Sequence, residues 1–517
     1  MKSLSLTMLA VSLTAIYLPL RAQNYTLHEW GTFTTVAGSD GTHLDGVERE
    51  EAPLPAFVHQ LDELQSIEHP NGMKGFHYSR PLAHVNVRME TPVIYFYTNE
   101  AFNAQVDVRF RGGAISQWFP DRSAGEKLAP IQRNKEGFPL AAENVIDFGR
   151  IREGAIRWNV RVEPAGEDQS GRVFQGGESP CWLHPRLTDS ALVTNSREQT
   201  EKYLFYRGLG HLKLPVTFSA TDQELRAMNC GRDAVGYWLV FDLNAQRQAR
   251  WVLPSPISQA PAAGNGAAVT VPLQSQQYRA DWKKPLYSDA VKLLVSAGLY
   301  RKEADAMLQT WWNSYFERPG LRVFWIVPRG YVDEVLPLTV SPAPKVVERV
   351  IVGRTEILTP AFEQRLLAGF VGATDKVPNP WTSDRFFPAY NERVSQLKKV
   401  AAADVPPPSG LPVGKWNVHF ANGASEVCEI REDGSATVSE ASRRATGKAV
   451  VNNGFVEIRF DDHRAERWTV AGGWMAVHHW FPDFGMPASP PVSGVAQRIK
   501  ESADAAARVS LNVTGQN

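Results

Sequence analysis

From Tyr25 to about Val271 apolar and polar residues mostly alternate with a period of two. Val106, Val108 and Phe110 flank the charged Asp107 and Arg109, as in a strand with one buried face. Pro92–Tyr97 is apolar on both faces and reads as a central strand covered from both sides. Comparable strands are predicted at Trp158–Val162, Tyr203–Tyr206, Val216–Ser219 and Tyr237–Leu243, separated by turn-rich segments such as Gly112-Gly113 and Gly176-Gly177. Many short strands without long helices between them predict an antiparallel β-sandwich region over 23–280.

The period changes after Pro285. Ser288 can cap a helix that ends at Gly298, and Arg301–Glu317 carries Ala304, Leu308, Trp311, Trp312 and Tyr315 before Arg318-Pro319-Gly320 stops it. Val323–Val327 returns to strand, Thr359-Pro360 opens a further helix to about Gly369, and Pro388–Ala403 is another helical stretch. Residues 281–404 thus form a mixed helix and strand region with a helical hairpin. The proline-rich run Val405–Pro412 reads as an extended linker. Beyond it, Asn422-Gly423, Asp433-Gly434, Asn453-Gly454 and Gly472-Gly473 punctuate apolar runs in the manner of tight hairpins. A meander of six to eight strands from Trp416 to about Trp480, closed or nearly closed into a small barrel, is expected within 413–500, followed by a flexible tail over 501–517. The fold class expected is therefore mainly β with an α/β middle.

At 517 residues the chain has room for about three domains at roughly 150 residues each. Its 55 basic and 55 acidic residues cancel, which removes the electrostatic case for nucleic acid as a partner. Residues 1–22 read as a secretory signal: Lys2, an apolar run from Leu4 to Leu20, and Ala22 where a peptidase can cut. No later run approaches the ~20 apolar residues of a membrane span, so no transmembrane segment is expected after cleavage, and the destination is the periplasm or the exterior. Three cysteines, Cys181, Cys230 and Cys428, allow either one bridge between Cys181 and Cys230 or three buried thiols.

Six of the twelve histidines, His28, His43, His59, His69, His77 and His84, crowd into one early stretch with many carboxylates. Imidazoles with carboxylates suit one divalent metal ion, for which His28, His59, His77 and His84 are the candidate ligands. No established metal motif fits their spacing, so ordinary surface or hydrogen-bonded histidines remain the other reading. On a strand from Tyr25, Glu29 shares a face with Tyr25, Leu27 and Phe33. A desolvated carboxylate there is either a catalytic acid or half of an ion pair with an arginine such as Arg88 or Arg109. The acidic, glycine-rich Gly38-Ser39-Asp40-Gly41, Asp45-Gly46 and Glu48 offer oxygens for calcium or form a solvated turn.

The wording His28-Glu29-Trp30-Gly31-Thr32-Phe33-Thr34, with Leu54–His59 and the second block Glu201–Gly210, resembles a group of uncharacterised exported bacterial proteins. The resemblance implies secretion and a shared fold and carries no assigned activity. Of the fifteen tryptophans, Trp30, Trp118 and Trp182 are candidate platforms for sugar rings, against a simple role in the core. In the terminal module Trp474, Ala476, His478 and Trp480 alternate with Met475, Val477 and His479, so one of the two faces lines the barrel. No Gly-x-Ser-x-Gly elbow, phosphate loop or dinucleotide fingerprint occurs, and Cys181 three residues from His184 is no thiol-protease signature. The leading expectation is an envelope protein that binds a glycan or another polar component. The rivals are a secreted, metal-assisted hydrolase acting through His28, Glu29, His59, His77 and His84, and a protein-binding scaffold using Trp311-Trp312 or the barrel.

Overall fold

The computed structural model describes residues 23–499, apart from 52–53, 65–66, 69–76, 79, 134, 136–143, 167–171, 174–179, 262–265, 374–378, 403–409, 422, 441–442, 453–454, 472–473 and 481–491. The proposed signal over 1–22, most of the proline linker and the tail lie outside the described residues.

Strands β1 (Gln23–Ala37), β2 (His59–Gln60), β3 (Val87–Tyr97), β4 (Phe102–Arg111), β5 (Gly113–Phe119), β6 (Glu153–Glu163), β7 (Leu204–Gly210), β8 (Trp238–Leu243), β9 (Ala249–Val252), β10 (Gly320–Ile326), β11 (Leu338–Ser341) and β12 (Pro344–Ile357) supply the first two layers. The nine-stranded sheet runs β9-β8-β10-β12-β1-β3-β7-β5-β2, and β6, β4 and β11 belong to a second, six-stranded sheet. Leu27, Phe33, Ile94 and Phe96 of the first sheet pack with Val106, Phe110 and Trp158 of the second in one continuous core, which is the expected sandwich. The large sheet is mixed: β1 pairs antiparallel with β3 and parallel with β12, from Gln23↔Pro344 to Ala37↔Ile357.

That parallel pair corrects the division drawn at residue 280. Strands β10 and β12 come from the region expected to stand apart, yet they sit in the middle of the large sheet. Local patterning sees each strand but not a partner some 320 positions away, and only sheet closure brings them together.

The opposite face of the large sheet carries the helical hairpin, α1 (Lys283–Ser296) and α2 (Arg301–Phe316). Leu286, Leu294, Leu308, Trp311 and Tyr315 bury against Trp30, Val93, Phe205, Phe324 and Val352. Helix α1 begins five residues before Ser288, because Pro285 falls in its first turn, where a missing N–H breaks no helical bond. Besides a short helix at Arg329–Val335, the described chain then forms α3 (Pro360–Val371), whose first turn donates Phe362 N–H to Thr359 Oγ1 at 3.3 Å, and α4 (Phe387–Ala402).

Eight strands from Gly414–Phe420 to Val492–Arg498 close into the terminal barrel, the last pairing with the first through Trp416↔Arg498 to Phe420↔Gly494. The eighth strand lies beyond the limit expected at Trp480. Gly434 takes a φ of 79°, as the Asp433-Gly434 turn requires, while parts of the other three expected turns lie outside the described residues. Met475 and Val477 belong to the barrel's interior, and the side chain of Trp474 is not among those described. The barrel leans on the rest of the chain: α3 packs on its last strand, and Ser493 Oγ donates to the Gly372 carbonyl at 3.1 Å. Among the described residues no helix is long and apolar enough to cross a membrane. No disulfide joins Cys181 to Cys230: the first is buried beside Trp182, and the second is exposed.

Candidate functional site

The helix-covered face of the large sheet divides in two. Where α1 and α2 lie on it, the inward residues are apolar. Further along the same strands the alternation continues with polar residues: Thr32 and Thr34 on β1, Arg88 and Glu90 on β3, Arg207 on β7, Arg322 on β10, and Arg354 and Glu356 on β12. All of these are buried. The end of α2 and the segments Glu48–Glu51 and Asp384–Phe386 cover this half.

Charges in that belt form a chain of ion pairs. Arg322 Nε reaches Glu356 at 2.7 Å, and Arg354 Nη2 reaches the same carboxylate at 2.6 Å. Arg354 and Arg385 converge on Glu51, Arg385 also binds Glu90, and Arg88 meets Glu50 at 3.1 Å and Glu90 at 3.7 Å. Burial alone would raise the Glu90 and Glu356 carboxyls. The surrounding arginines win, and both are held down at about 2. Both glutamates are therefore fixed anions, and neither can serve as a general acid near neutral pH.

Where β8 ends and β10 begins, the belt opens into a cleft of about 570 Å³, with Arg318, Arg322, Glu356 and Asp384 in its wall. Its lining includes Tyr278, whose hydroxyl donates to Asp242 at 2.6 Å and whose ring lies 4.5 Å from the Arg250 guanidinium. It also includes Phe362, Trp381 and Tyr390 in edge-to-face contacts of 5.2–6.1 Å. Arg365 lies over the Phe362 and Trp381 rings at 5.2 and 5.5 Å and has no carboxylate partner among the described residues. The other cleft cations are paired: Arg250 with Asp242, Arg318 with Asp384, and Arg322 with Glu356. Rings set beside fixed, already paired charges can stack on the apolar faces of a ligand and hydrogen-bond its hydroxyls.

The residues singled out in the sequence do not assemble into this site. His28 is buried and bonds Glu303 at 2.8 Å between the Tyr97 and Tyr300 rings. Glu29 lies on the opposite face of β1, fully buried, accepting from Arg349 Nε and the Tyr206 hydroxyl. Its partner is thus neither Arg88, which belongs to the charged belt, nor Arg109, which pairs with Glu153. Trp30 and Trp182 are fully buried in the core under the helices, so they are not exposed sugar platforms. His84 sits at the surface, 2.7 Å from Asp147, and His77 belongs to the two-residue strand His77–Tyr78, its side chain outside the described set.

His59 and Trp118 do meet. They line a second cavity of about 660 Å³ with Asp121, Arg122, Lys127 and Arg197. The rings stack at 6.3 Å, His59 Nε2 lies 3.1 Å from Gln199, and the Arg122 guanidinium covers Trp118 at 3.9 Å. Among the described residues no three His, Cys, Asp or Glu side chains are placed to hold a metal ion. In the glycine-rich loop, Asp40 accepts from Arg393 and from Thr42 N–H, and Ser39 Oγ donates to Glu363, so the Ser39 and Asp40 oxygens considered for calcium are engaged by protein partners.

The cleft itself escaped sequence reading because its walls come from β8, the α2–β10 turn, the end of β12, and the segment before α4. One signal was present: Val350-Ile351-Val352-Gly353-Arg354-Thr355-Glu356 is a buried strand whose inward positions turn from valine to charge.

No family model matches the chain, and no curated protein matches it. Solved structures similar to it include the yeast delta-COP-I mu-homology domain, alone and complexed with a Dsl1 WxWxV peptide. Each is 7% identical, with a TM-score of 0.21; they cover 65% of this chain and 97% and 98% of their own. Likeness at that level carries no argument about fold or function.

Proposed function

We propose that this is an exported protein of the cell envelope, related to the uncharacterised group that shares its opening motif, and that it binds a glycan or a comparable polyhydroxylated ligand in the 570 Å³ cleft. The observation that carries the reading is one cleft lined both by aromatic rings, Tyr278, Phe362 and Trp381, and by charged groups already locked to one another. Locked charges keep their geometry when water is displaced, so hydroxyl recognition needs little reorganisation. A hydrolase built on the early histidines finds less support, because His28 and Glu29 face opposite ways and His59 and His84 belong to separate sites.

The test is binding of oligosaccharides from envelope polymers to the purified chain beginning at residue 23. Trp381→Ala and Tyr278→Ala should each weaken binding about 3- to 10-fold, the worth of one stacked ring at roughly 0.5–1.5 kcal/mol, without lowering the melting temperature. Wild-type affinity in both variants, or no binding by any oligomer, would refute it. Export is checked by expressing the full chain in a bacterium and weighing the recovered protein: loss of residues 1–22 is expected, and an intact mass refutes it.

A further inference from the structure

At the end of the charged belt away from the cleft stands Arg207. It is 4% exposed, lies opposite Gln117 in the β7–β5 register, and its guanidinium is 5.8 Å from the Phe205 ring. Every other arginine of the belt reaches a carboxylate. Among the described residues Arg207 reaches none, and its buried Nε has no hydrogen-bond acceptor. A like charge stands diagonally across the β3–β7 pair, where Arg88 faces Leu209: burial first, and then repulsion from Arg207, bring the Arg88 guanidinium down to about 10. Glu90 does not answer for it: Arg385 and Arg88 both meet its Oε1, and its buried Oε2 accepts from no described residue, Arg207 included. Thr34, directly opposite Arg88 across the β1–β3 pair, also buries a hydroxyl with no partner. Arg207, beside a second cation and a spare hydroxyl donor on adjacent strands, needs a negative charge, since an isolated ion removed from water is strongly disfavoured.

We propose that a small monovalent anion, chloride in size and charge, binds between Arg207 and Arg88 beside Thr34. Arg207 contributes unused N–H donors. Arg88 contributes charge, because its two Nη groups already serve the Glu48 carbonyl and the Glu50 carboxylate. Enclosure selects the size: the two arginines are 4% and 3% exposed, which leaves no path for a ligand with a bulky body. The site is separate from the cleft and independent of what the cleft binds. Its effect is to fasten β3 and β7, the strands that carry Arg88 and Arg207.

Thermal unfolding of the whole chain tests this in sodium chloride against sodium gluconate at matched ionic strength. Wild type should gain about 2–4 °C, saturating with chloride, while Arg207→Met shows the same melting temperature in both salts. Arg207→Lys, which keeps the charge, should need several-fold more chloride; it also serves should the methionine variant not fold. Crystals grown in bromide should show an anomalous peak beside the Arg207 guanidinium. Equal chloride responses in wild type and both variants, or ordered water without an anomalous peak at that position, overturn the proposal.

Discussion

Single residues in the opening motif act structurally, and each for its own reason. Gly31 has no room for a side chain, since a Cβ would come within 2.9 Å of Pro92, where β3 bulges and Thr91 takes a φ of 49°. Glu29 joins β1 to β12 through Arg349, which in turn reaches Asp333 at 2.7 Å. Removing one partner of a buried pair strands the other charge. Glu29→Gln should therefore cost about 3 kcal/mol in denaturant unfolding, with an unchanged slope. Stability equal to wild type would revive the strained catalytic acid. Pairing the change with Arg349→Met should recover most of the loss, because the stranded charge is then gone.

At the scale of elements, α2 is anchored by a carboxylate in its first turn. Glu303 is fully buried and accepts from Tyr300 N–H at 2.7 Å and the Tyr97 hydroxyl at 2.8 Å, and it bonds His28 at 2.8 Å. The first of these bonds satisfies a backbone donor that the helix itself leaves open. The other two tie the helix to β1 and β3. Glu303→Ala should lower stability by about 1–3 kcal/mol and speed amide exchange in the first turn of α2, leaving the terminal barrel unchanged. Unaltered exchange there would show that apolar packing alone seats the helix.

Across the whole molecule, buried carboxyls of opposite behaviour sit in different parts of the chain. In the belt, Glu90 and Glu356 ionise at about 2 when folded, so the stability they provide is complete above the ordinary glutamate value of 4.5 and is lost as pH falls toward 2. Inside the barrel, burial first and then the neighbouring Glu466 push Glu426 up to about 10. There the folded form holds a proton that the unfolded chain releases. Stability from this group is complete below 4.5 and is lost as pH rises toward 10. Calorimetry of the full chain should thus show the barrel weakening from pH 5 to 9 while the sandwich stays level, and the sandwich weakening below pH 4. Glu426→Gln, a neutral mimic of the protonated acid, should flatten the alkaline slope. A slope identical to wild type would mean that Glu426 and Glu466 share no proton.

Local pattern by itself determined the elements of this protein: the strand period before residue 271, the hairpin after it, the Thr359 cap, and the meander that closes the barrel. These are short-range choices, set by which residues bury, cap or turn within a few positions of one another. The pairing of Glu29 was legible in kind, as a buried carboxylate needing a cation, but not in partner, because Arg349 arrives only when β12 lies parallel to β1. The early histidines misled for the same reason: closeness along an alternating strand sends neighbours such as His28 and Glu29 to opposite faces. The cleft and the charged belt draw on seven strands, two helices and several connecting segments, with contacts that span up to 334 positions, as between Glu51 and Arg385. Only the assembled sheet decided which charges would be buried together, and so where the cleft opens.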